Sequence, residues 1–144
     1  MLVLCLSGQQ HRLSANGFTG LVLFGSPLYG IQLVGRNDHS SGRGHQAPKP
    51  LAELLSGIDL DKPVIVMNHQ PFNLNEAAEA NVDLHLSGHT HNGQLWPFNY
   101  LTEAIFELSW GLIKKGNTNF YVSSGYGTWG PPVRIGNRPE VVVF

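Results

Sequence analysis

Apolar residues in this chain fall into short runs that are separated by glycine, proline and asparagine. Continuous or alternating apolar runs are typical of β-strands. They predict strands at residues 20–25, 31–35, 63–67, 82–86, 119–123, 133–135 and 140–144. Apolar residues at helical spacing predict helices at residues 51–58, 73–81 and 100–110. Strand and helix therefore alternate in the middle of the chain, and strands dominate toward residue 144.

The middle of the chain carries the clearest indication of fold class. Asn73 and Glu76 have the spacing of a capping box that opens a helix, and Asn81 can close it. This helix lies between the apolar strands at 63–67 and 82–86. A strand, a helix and a strand joined by short links form a parallel crossover. The sequence therefore predicts an α/β fold.

Histidines directly follow both crossover strands. His69 comes after the first strand, with Asn68 before it, and His89 and His91 come after the second. Because neighbouring parallel strands end at the same edge of a sheet, we expect these side chains to converge there. Neutral imidazoles bind divalent cations and leave positions for water. The pattern indicates a metal site of the kind that hydrolases use.

The number of metal ions stays open at this point. Gly88 and Gly93 allow sharp turns, so His89 and His91 need not face the same way and could serve two cations. A mononuclear zinc site of His69, His89 and His91 is one alternative, and ordinary loop histidines are another. His85 alternates to the opposite face of its strand, which predicts a packed or surface histidine.

Composition narrows the classes of function and of ligand. Charged residues make up only 13% of the chain, and the net charge of −1 gives no indication of a nucleic-acid partner or of an anionic membrane surface. Cys5 is the single cysteine, so a metal here must be held by nitrogen and oxygen. No apolar run is long enough for a membrane span or a signal-peptide core, which predicts a soluble chain.

A polar stretch at residues 36–50 is a long loop that invites a role at the site. Asp38 is a candidate to orient a metal ligand, and Arg43 is a candidate to contact a phosphate oxygen. Asn68 is a candidate for a hydrogen bond into the site. Glycine-rich residues 125–132 are predicted to form a rigid turn. A core position is predicted for Trp96, Trp110, Tyr126 and Trp129, with the lining of a cleft as the alternative.

The residues around the histidines resemble the calcineurin-like metallophosphoesterases, in which a lone histidine follows one strand and a Gly-His-x-His motif follows the next. The matching segments are Val64-Ile-Val-Met-Asn-His-Gln-Pro71 and Asp83-Leu-His-Leu-Ser-Gly-His-Thr-His-Asn-Gly-Gln94. The resemblance continues at residues 121–134, which are similar to the closing strand and loop of the bacterial branch with Gly-His-Thr-His-x-Gly-Gln motifs. It covers residues 31–144.

The resemblance implies the C-terminal portion of a four-layer α/β/β/α sandwich with mixed sheets. It implies a single partial domain over residues 1–144, of which residues 1–30 match poorly. Carried over by position, His69 and His89 bind one divalent cation and His91 binds its neighbour. Mn, Fe or Zn serves in the complete family site, which holds two cations and hydrolyses a phosphate ester.

The resemblance also implies motifs that this chain lacks. An Asp-x-His, a Gly-Asp and a Gly-Asn-His-Asp/Glu motif belong to the N-terminal half of the family, and residues 36–40 have His39 after the acid, in the wrong order. Without these carboxylates, we expect one cation or none and little activity. A non-catalytic metal-binding remnant or interaction module is the alternative. Half of a two-sheet core would also expose an apolar sheet face, which predicts a homodimer.

Overall fold

A computed structural model describes residues 30–36, 38 and 48–143 of the chain. Its helices are α1 (Leu51–Leu55), α2 (Leu74–Glu79) and α3 (Phe98–Ile105), with a 3-10 turn at His91–Gly93. Its strands are β1 (Gln32–Gly35), β2 (Val64–Met67), β3 (Leu84–Ser87), β4 (Gly111–Lys115) and β5 (Thr118–Val122). In the part of the chain so described, no helix is long and apolar enough to cross a membrane.

The strands form one mixed sheet in the order β1-β2-β3-β5-β4. β1, β2, β3 and β5 run parallel, and β4 runs antiparallel to β5. α1 connects β1 to β2, and α2 connects β2 to β3, which are the crossovers that a parallel sheet requires. The predicted α/β fold is confirmed, including the crossover between the strands that precede the histidines.

The hydrophobic core lies between the sheet and its two crossover helices. Val66 of β2 and Phe120 of β5 are almost fully buried, and they belong to the same cluster as Leu51 and Leu54 of α1 and Leu74 of α2. Burial of a side chain of this size stabilises the fold by roughly 1.5–3 kcal/mol. The core therefore holds β2 and β3 in register and fixes where their carboxyl ends, and the histidines beyond them, are placed.

The start of α2 differs from the predicted capping box. Asn73 is the N-cap residue, but its φ is 54° and its side chain makes no capping hydrogen bond. The Glu76 carboxylate instead accepts from the backbone N–H of Leu51 at 2.6 Å and from Arg36 Nη1 at 2.7 Å. The predicted pair of capping bonds is wrong because Glu76 has stronger partners outside its helix. It joins the end of β1 to the first residue of α1. Asn81, with a φ of 52°, closes the helix as predicted.

The C-terminal third contains less strand than predicted. Residue 135 makes a single bridge to Leu95, and residues 140–143 form no strand. The Glu140 carboxylate is instead held by the backbone N–H of Ser124 at 2.6 Å and by Trp110 Nε1 at 3.2 Å, which draws this segment across the sheet end. β5 pairs on its outer side with β4, a strand that the apolar pattern did not indicate. The predicted strand at 20–25 lies outside the described residues.

The aromatic residues predicted to be core lie on the surface. The exposed fractions are 63% for Trp96, 50% for Trp110 and 75% each for Tyr126 and Trp129. All four lie in or beside the loops that follow β3 and β5, and not on the crossover elements that build the core. The core prediction is wrong for them because those loops surround the histidines at the edge of the sheet.

His85 makes the folded state sensitive to acid. It is 4% exposed, packs on Phe120 with ring centroids 5.4 Å apart, and lies on the helix-covered face, which confirms the prediction of a packed histidine. Burial lowers the pKa of His85 from 6.5 to about 4; the Arg36 charge acts in the same direction and the Glu76 charge opposes it. Because the unfolded chain binds the proton more readily, the stability from neutral His85 is complete above pH 6.5 and is lost as the pH falls toward 4.

We expect His85→Leu, which cannot titrate, to lose less stability in acid than the unsubstituted chain. Between pH 7.5 and pH 5, the unfolding free energy of the unsubstituted chain should fall by about 2 kcal/mol more than that of His85→Leu. Urea unfolding at the two pH values measures it. An identical change in both proteins would contradict the assignment of this acid sensitivity to His85.

Candidate metal centre

The loops that carry the histidines leave the sheet side by side. Asn68 N donates to Leu86 O at 3.0 Å, and Gly88 N donates to His69 O at 3.1 Å, so the pairing of β2 with β3 continues into the two loops. His69 and His89 are therefore brought together as the sequence predicted. The exposed rings lie at the carboxyl edge of the sheet, where α/β folds bind their ligands.

His69 and His89 face each other through ring nitrogens. His89 Nδ1 lies 3.0 Å from His69 Nε2, and the two rings are nearly perpendicular, with an interplanar angle of 79°. His89 also has its edge toward the ring of Phe106, with 6.2 Å between centroids. Burial lowers the pKa of His89, and His69 lowers it further, whereas the Asp38 charge raises it. His89 is thus kept neutral, which is the form of imidazole that binds metals.

The pair of nitrogens fits a divalent cation. Without a metal these two nitrogens share a hydrogen bond. Imidazole nitrogens bind such cations at about 2.1 Å, so two of them lie roughly 3.0 Å apart on an octahedral ion and roughly 3.4 Å apart on a tetrahedral one. The 3.0 Å between His69 Nε2 and His89 Nδ1 matches the octahedral separation. Two borderline nitrogen donors without thiolate suit Mn, Fe or Zn. The donor set is small, because residues 30–36, 38 and 48–143 contain no cluster of three or more histidine, cysteine, aspartate or glutamate side chains that could hold a metal ion.

His91 occupies a different position from this pair. Its Nδ1 lies 3.3 Å from Arg134 Nη2, and a Cβ added to Gly125 would meet its Nδ1 and Cε1 at 3.7 Å. Burial lowers the pKa of His91, the Arg134 charge lowers it further, and a hydrogen bond with the Gly127 backbone raises it. The single cluster of three imidazoles required by a mononuclear zinc site is not formed by the described residues.

Strained backbone directs the two motif histidines apart. His89, His91 and Asn92 have φ values of 70°, 49° and 48°, a region that costs a residue with a side chain about 1 kcal/mol or more. Thr90 between the histidines turns inward, and its Oγ1 donates to Ser109 O at 2.6 Å. This anchor keeps the histidines on the surface of the loop.

The two glycines of the motif play different parts. Gly93 has a φ of 72°, and a Cβ there would lie 2.2 Å from Asn99 N, so only glycine fits. Gly88 has no positive φ, and a Cβ there would meet only Ser123 O, at 3.9 Å. The prediction that glycine provides the turn is confirmed for Gly93. It is wrong for Gly88, because His89 itself takes the left-handed conformation.

Asn68, Asp38 and Arg43 were predicted to contact the metal ligands or the substrate, and the structure describes only the first two. Asn68 is 4% exposed, and its Oδ1 has no hydrogen-bond partner among the described residues. Asp38 Oδ1 accepts from Gln70 Nε2 at 2.7 Å, and its charge acts on His89, so it lies beside the histidine pair. Arg43 lies outside the described residues. The functions predicted for these three residues stay predictions.

Three polar side chains that tie the histidine loop to the loop after β5 escaped the sequence reasoning. Gln94 Nε2 donates to Trp129 O at 2.7 Å, and Asn137 Nδ2 donates to His91 O at 3.0 Å. Arg134 donates to Ser124 O and Gly125 O, each at 2.9 Å. The sequence feature that could have identified these residues is their position inside stretches rich in glycine and proline. Backbone carbonyls there lack strand partners and need side-chain donors.

Comparison with known proteins finds relatives over most of this chain. An uncharacterized metallophosphoesterase of Helicobacter pylori is 39% identical over 110 residues, which are 75% of this chain and 30% of the relative. One of Campylobacter jejuni is 37% identical over 116 residues, 79% of this chain and 31% of the relative. One of Aquifex aeolicus is 38% identical over 110 residues, 74% of this chain and 42% of the relative.

The chain spans about a third of the length of the first two relatives and about two fifths of the third. No family model matches the sequence, and no solved structure matches it. The similarity is consistent with this chain corresponding to the C-terminal part of the relatives. It agrees with the resemblance that the histidine motifs indicated.

Proposed function

Because the chain is related to the metallophosphoesterases, we propose that it is a metal-dependent phosphoester hydrolase module in which His69 and His89 hold one divalent cation. The observation that supports this assignment is the 3.0 Å separation of His69 Nε2 and His89 Nδ1 at the carboxyl edge of the sheet. His91 would hold a neighbouring cation in a binuclear site. The substrate class is a phosphomonoester or a phosphodiester.

The chain's own residues would bind and orient the reactants. When bound, a divalent cation polarises a phosphoryl oxygen and supplies a nucleophile near neutral pH. His69 and His89 provide the nitrogen donors, and burial, with His69 nearby, lowers the pKa of His89 and so favours the neutral form of His89 that binds metals. Asp38 lies near His89 and is held by Gln70, so it is placed to orient the ring through charge. Asn68 offers a buried amide oxygen beside His69.

The module is incomplete as it stands in this chain. Two imidazoles leave both charges of a divalent cation unbalanced, and a second cation nearby would be repelled. The Asp38 carboxylate accepts a hydrogen bond from Gln70 and is assigned to orienting His89, not to binding the cation. The Asp-x-His, Gly-Asp and Gly-Asn-His-Asp/Glu motifs that would supply bridging carboxylates are missing from the sequence. Weak, sub-stoichiometric metal binding and slow hydrolysis by the chain alone follow.

A parallel measurement of metal content and turnover tests this function. We expect the chain to bind less than one equivalent of Mn²⁺, as measured from the signal of free Mn²⁺, and to hydrolyse p-nitrophenyl phosphate and its bis ester barely above background. Fast turnover that His89→Ala abolishes would contradict the incompleteness and show that the chain completes its own site. Absence of Mn²⁺ binding would contradict the metal module itself.

A non-catalytic metal-binding module is the second candidate, and the two-donor set favours it. It shares the cation at His69 and His89 but lacks hydrolysis altogether. One bound Mn²⁺ with turnover indistinguishable from that of His89→Ala identifies this candidate. Residual turnover that the variant lacks identifies the hydrolase.

A further inference from the structure

A cavity of about 250 Å³ lies beside the histidine loop, between Asn92 and the last turn of α3 with the residues that follow it. It is lined by two aromatic residues, Phe106 and Trp110, and by two acidic residues, Glu103 and Glu107. A water molecule takes up roughly 30 Å³ in the liquid, so the cavity has the volume of roughly eight water molecules. It is therefore of a size for a small organic group, such as the alcohol part of an ester.

The cavity adjoins the proposed metal pair through Phe106 and Thr90. The Phe106 ring is part of the lining, and its centroid lies 6.2 Å from that of the His89 ring. Thr90 Oγ1 accepts from the backbone N–H of Asn92 at 3.2 Å and donates to Ser109 O at 2.6 Å. Asn92 and Ser109 both line the cavity. A group bound at His89 is therefore next to the cavity.

The charged groups at the cavity are mainly acidic. Glu103 makes no hydrogen bond or ion pair within the part of the chain that the structure describes. Glu107 accepts from Lys115 Nζ at 2.5 Å, so this carboxylate has a cationic partner. The Glu140 carboxylate accepts from Trp110 Nε1 at 3.2 Å and adds a third negative charge beside the cavity. Three carboxylates and one ammonium group leave an excess of two negative charges, which disfavours an anionic occupant.

Aromatic rings together with a carboxylate suit an ammonium group. The face of a tryptophan or phenylalanine ring attracts a cation, and the attraction is stronger where water is excluded. The Glu103 carboxylate supplies the opposite charge. A neutral apolar group would gain nothing from this charge, and an anionic group would be repelled by it. The lining of the cavity therefore favours a cation on a small carbon skeleton.

We propose that the cavity is the subsite for an ammonium group carried by the alcohol part of the phosphate ester, with Trp110 and Phe106 against the cation and Glu103 as its counter-charge. For the phosphate end of the substrate, the proposal rests on the proposed function, which it deepens. Glu103 and Trp110 are then specificity-determining residues that act by binding. An amino alcohol, free or N-methylated, is the alcohol that this subsite selects.

NMR titration of the metal-free chain with choline tests the subsite. We expect choline to shift the indole N–H signal of Trp110 until the site is saturated, and Trp110→Leu identifies that signal among the three tryptophans. The matched probe is 3,3-dimethylbutan-1-ol, which has the shape of choline and no charge. It should bind about 10-fold more weakly. Equal binding of the two probes, or no shift at Trp110, would overturn the inference.

Removal of the Glu103 charge separates the subsite from general charge attraction. We expect Glu103→Gln, which keeps the side-chain shape, to weaken choline binding about five-fold. Glu79→Gln removes an exposed carboxylate from the end of α2 and should leave the affinity unchanged, so equal affinities in the two variants would count against Glu103. The amide signals of Val66 and Phe120 show whether a variant keeps the core. If Trp110→Leu loses them, Trp110→Phe identifies the indole signal in its place.

Phosphocholine connects the subsite to the metal centre. With its cation in the cavity its phosphate should reach the histidine pair, so we expect phosphocholine, and not choline, to shift the ring signals of His69 and His89 at constant pH. A titration that shifts the Trp110 signal and leaves both histidine rings unchanged would overturn the assignment to a substrate. Because these titrations contain no metal, failure of the chain to bind Mn²⁺ would count against the proposed function and leave the choline result unaffected.

Discussion

His89→Ala is expected to weaken Mn²⁺ binding by at least about 100-fold. Loss of a residue that merely supports a metal ligand lowers metal affinity about 10–100-fold, and His89 is proposed to be a direct ligand. Its Nδ1 is one of two nitrogens placed 3.0 Å apart to share a cation. A titration of the chain with Mn²⁺, in which the electron paramagnetic resonance signal reports the free ion, measures the change in affinity. His69→Ala should have the same effect, and the double substitution should add little, because either single variant already breaks the site.

His91→Ala is the control for this loss. His91 lies against Arg134 and Gly125 and is assigned to a neighbouring cation, so its removal should leave the first Mn²⁺ bound within a few-fold of the original affinity. Equal losses in the His89 and His91 variants would mean that the histidines share a single ion, and the separate positions of the two rings would then have no functional meaning.

Gly93→Ala is expected to destabilise the fold by about 3 kcal/mol or more. A methyl group at this position would lie 2.2 Å from Asn99 N and 2.4 Å from Phe98 C, which are backbone atoms of α3 and cannot rotate away. The φ of 72° adds further strain. The first turn of α3 must move away from the histidine loop, so Mn²⁺ affinity should fall as well. Chemical unfolding followed by circular dichroism gives the free energy.

Gly88→Ala is the matched control in the same motif. Its Cβ would meet only Ser123 O, at an ordinary contact distance of 3.9 Å. We expect its unfolding free energy to stay within about 0.5 kcal/mol of the original value. A large loss at Gly88 together with a small one at Gly93 would contradict the packing described for this loop.

Much of the fold follows from local pattern. The apolar run of β2, the apolar positions of α1 and the strand that ends at Ser87 are dictated by burial against one another, and their spacing is visible along the chain. The β-strand predicted at 140–144 does not form, because contacts distant in sequence decide the conformation of this segment. Its three consecutive valines form an apolar run like that of a strand, but Glu140 is bound by Ser124 and Trp110, which are distant in sequence. Such long-range hydrogen bonds leave no periodic signal.

The candidate site was likewise predictable only where it depends on local pattern and strand order. Convergence of His69 and His89 could be predicted because parallel strands fix which loops are neighbours. The separate position of His91 depends on left-handed backbone at His89 and His91 and on a guanidinium more than forty residues away. Neither is visible in the spacing of Gly-His-x-His. The pairing of Glu76 with Arg36 and Leu51 likewise overrode a capping box that the local sequence favoured.

The central claim is that His69 and His89 together hold one divalent cation. Electron spin echo modulation of Mn²⁺, added in less than one equivalent to chain labelled with nitrogen-15 histidine, counts the histidine nitrogens on the ion. We expect two directly bound nitrogens in the unsubstituted chain and loss of the histidine-nitrogen signal in His69→Gln, because either single substitution breaks the site. A bound Mn²⁺ without histidine nitrogen, or a count that does not change in His69→Gln, would contradict the claim.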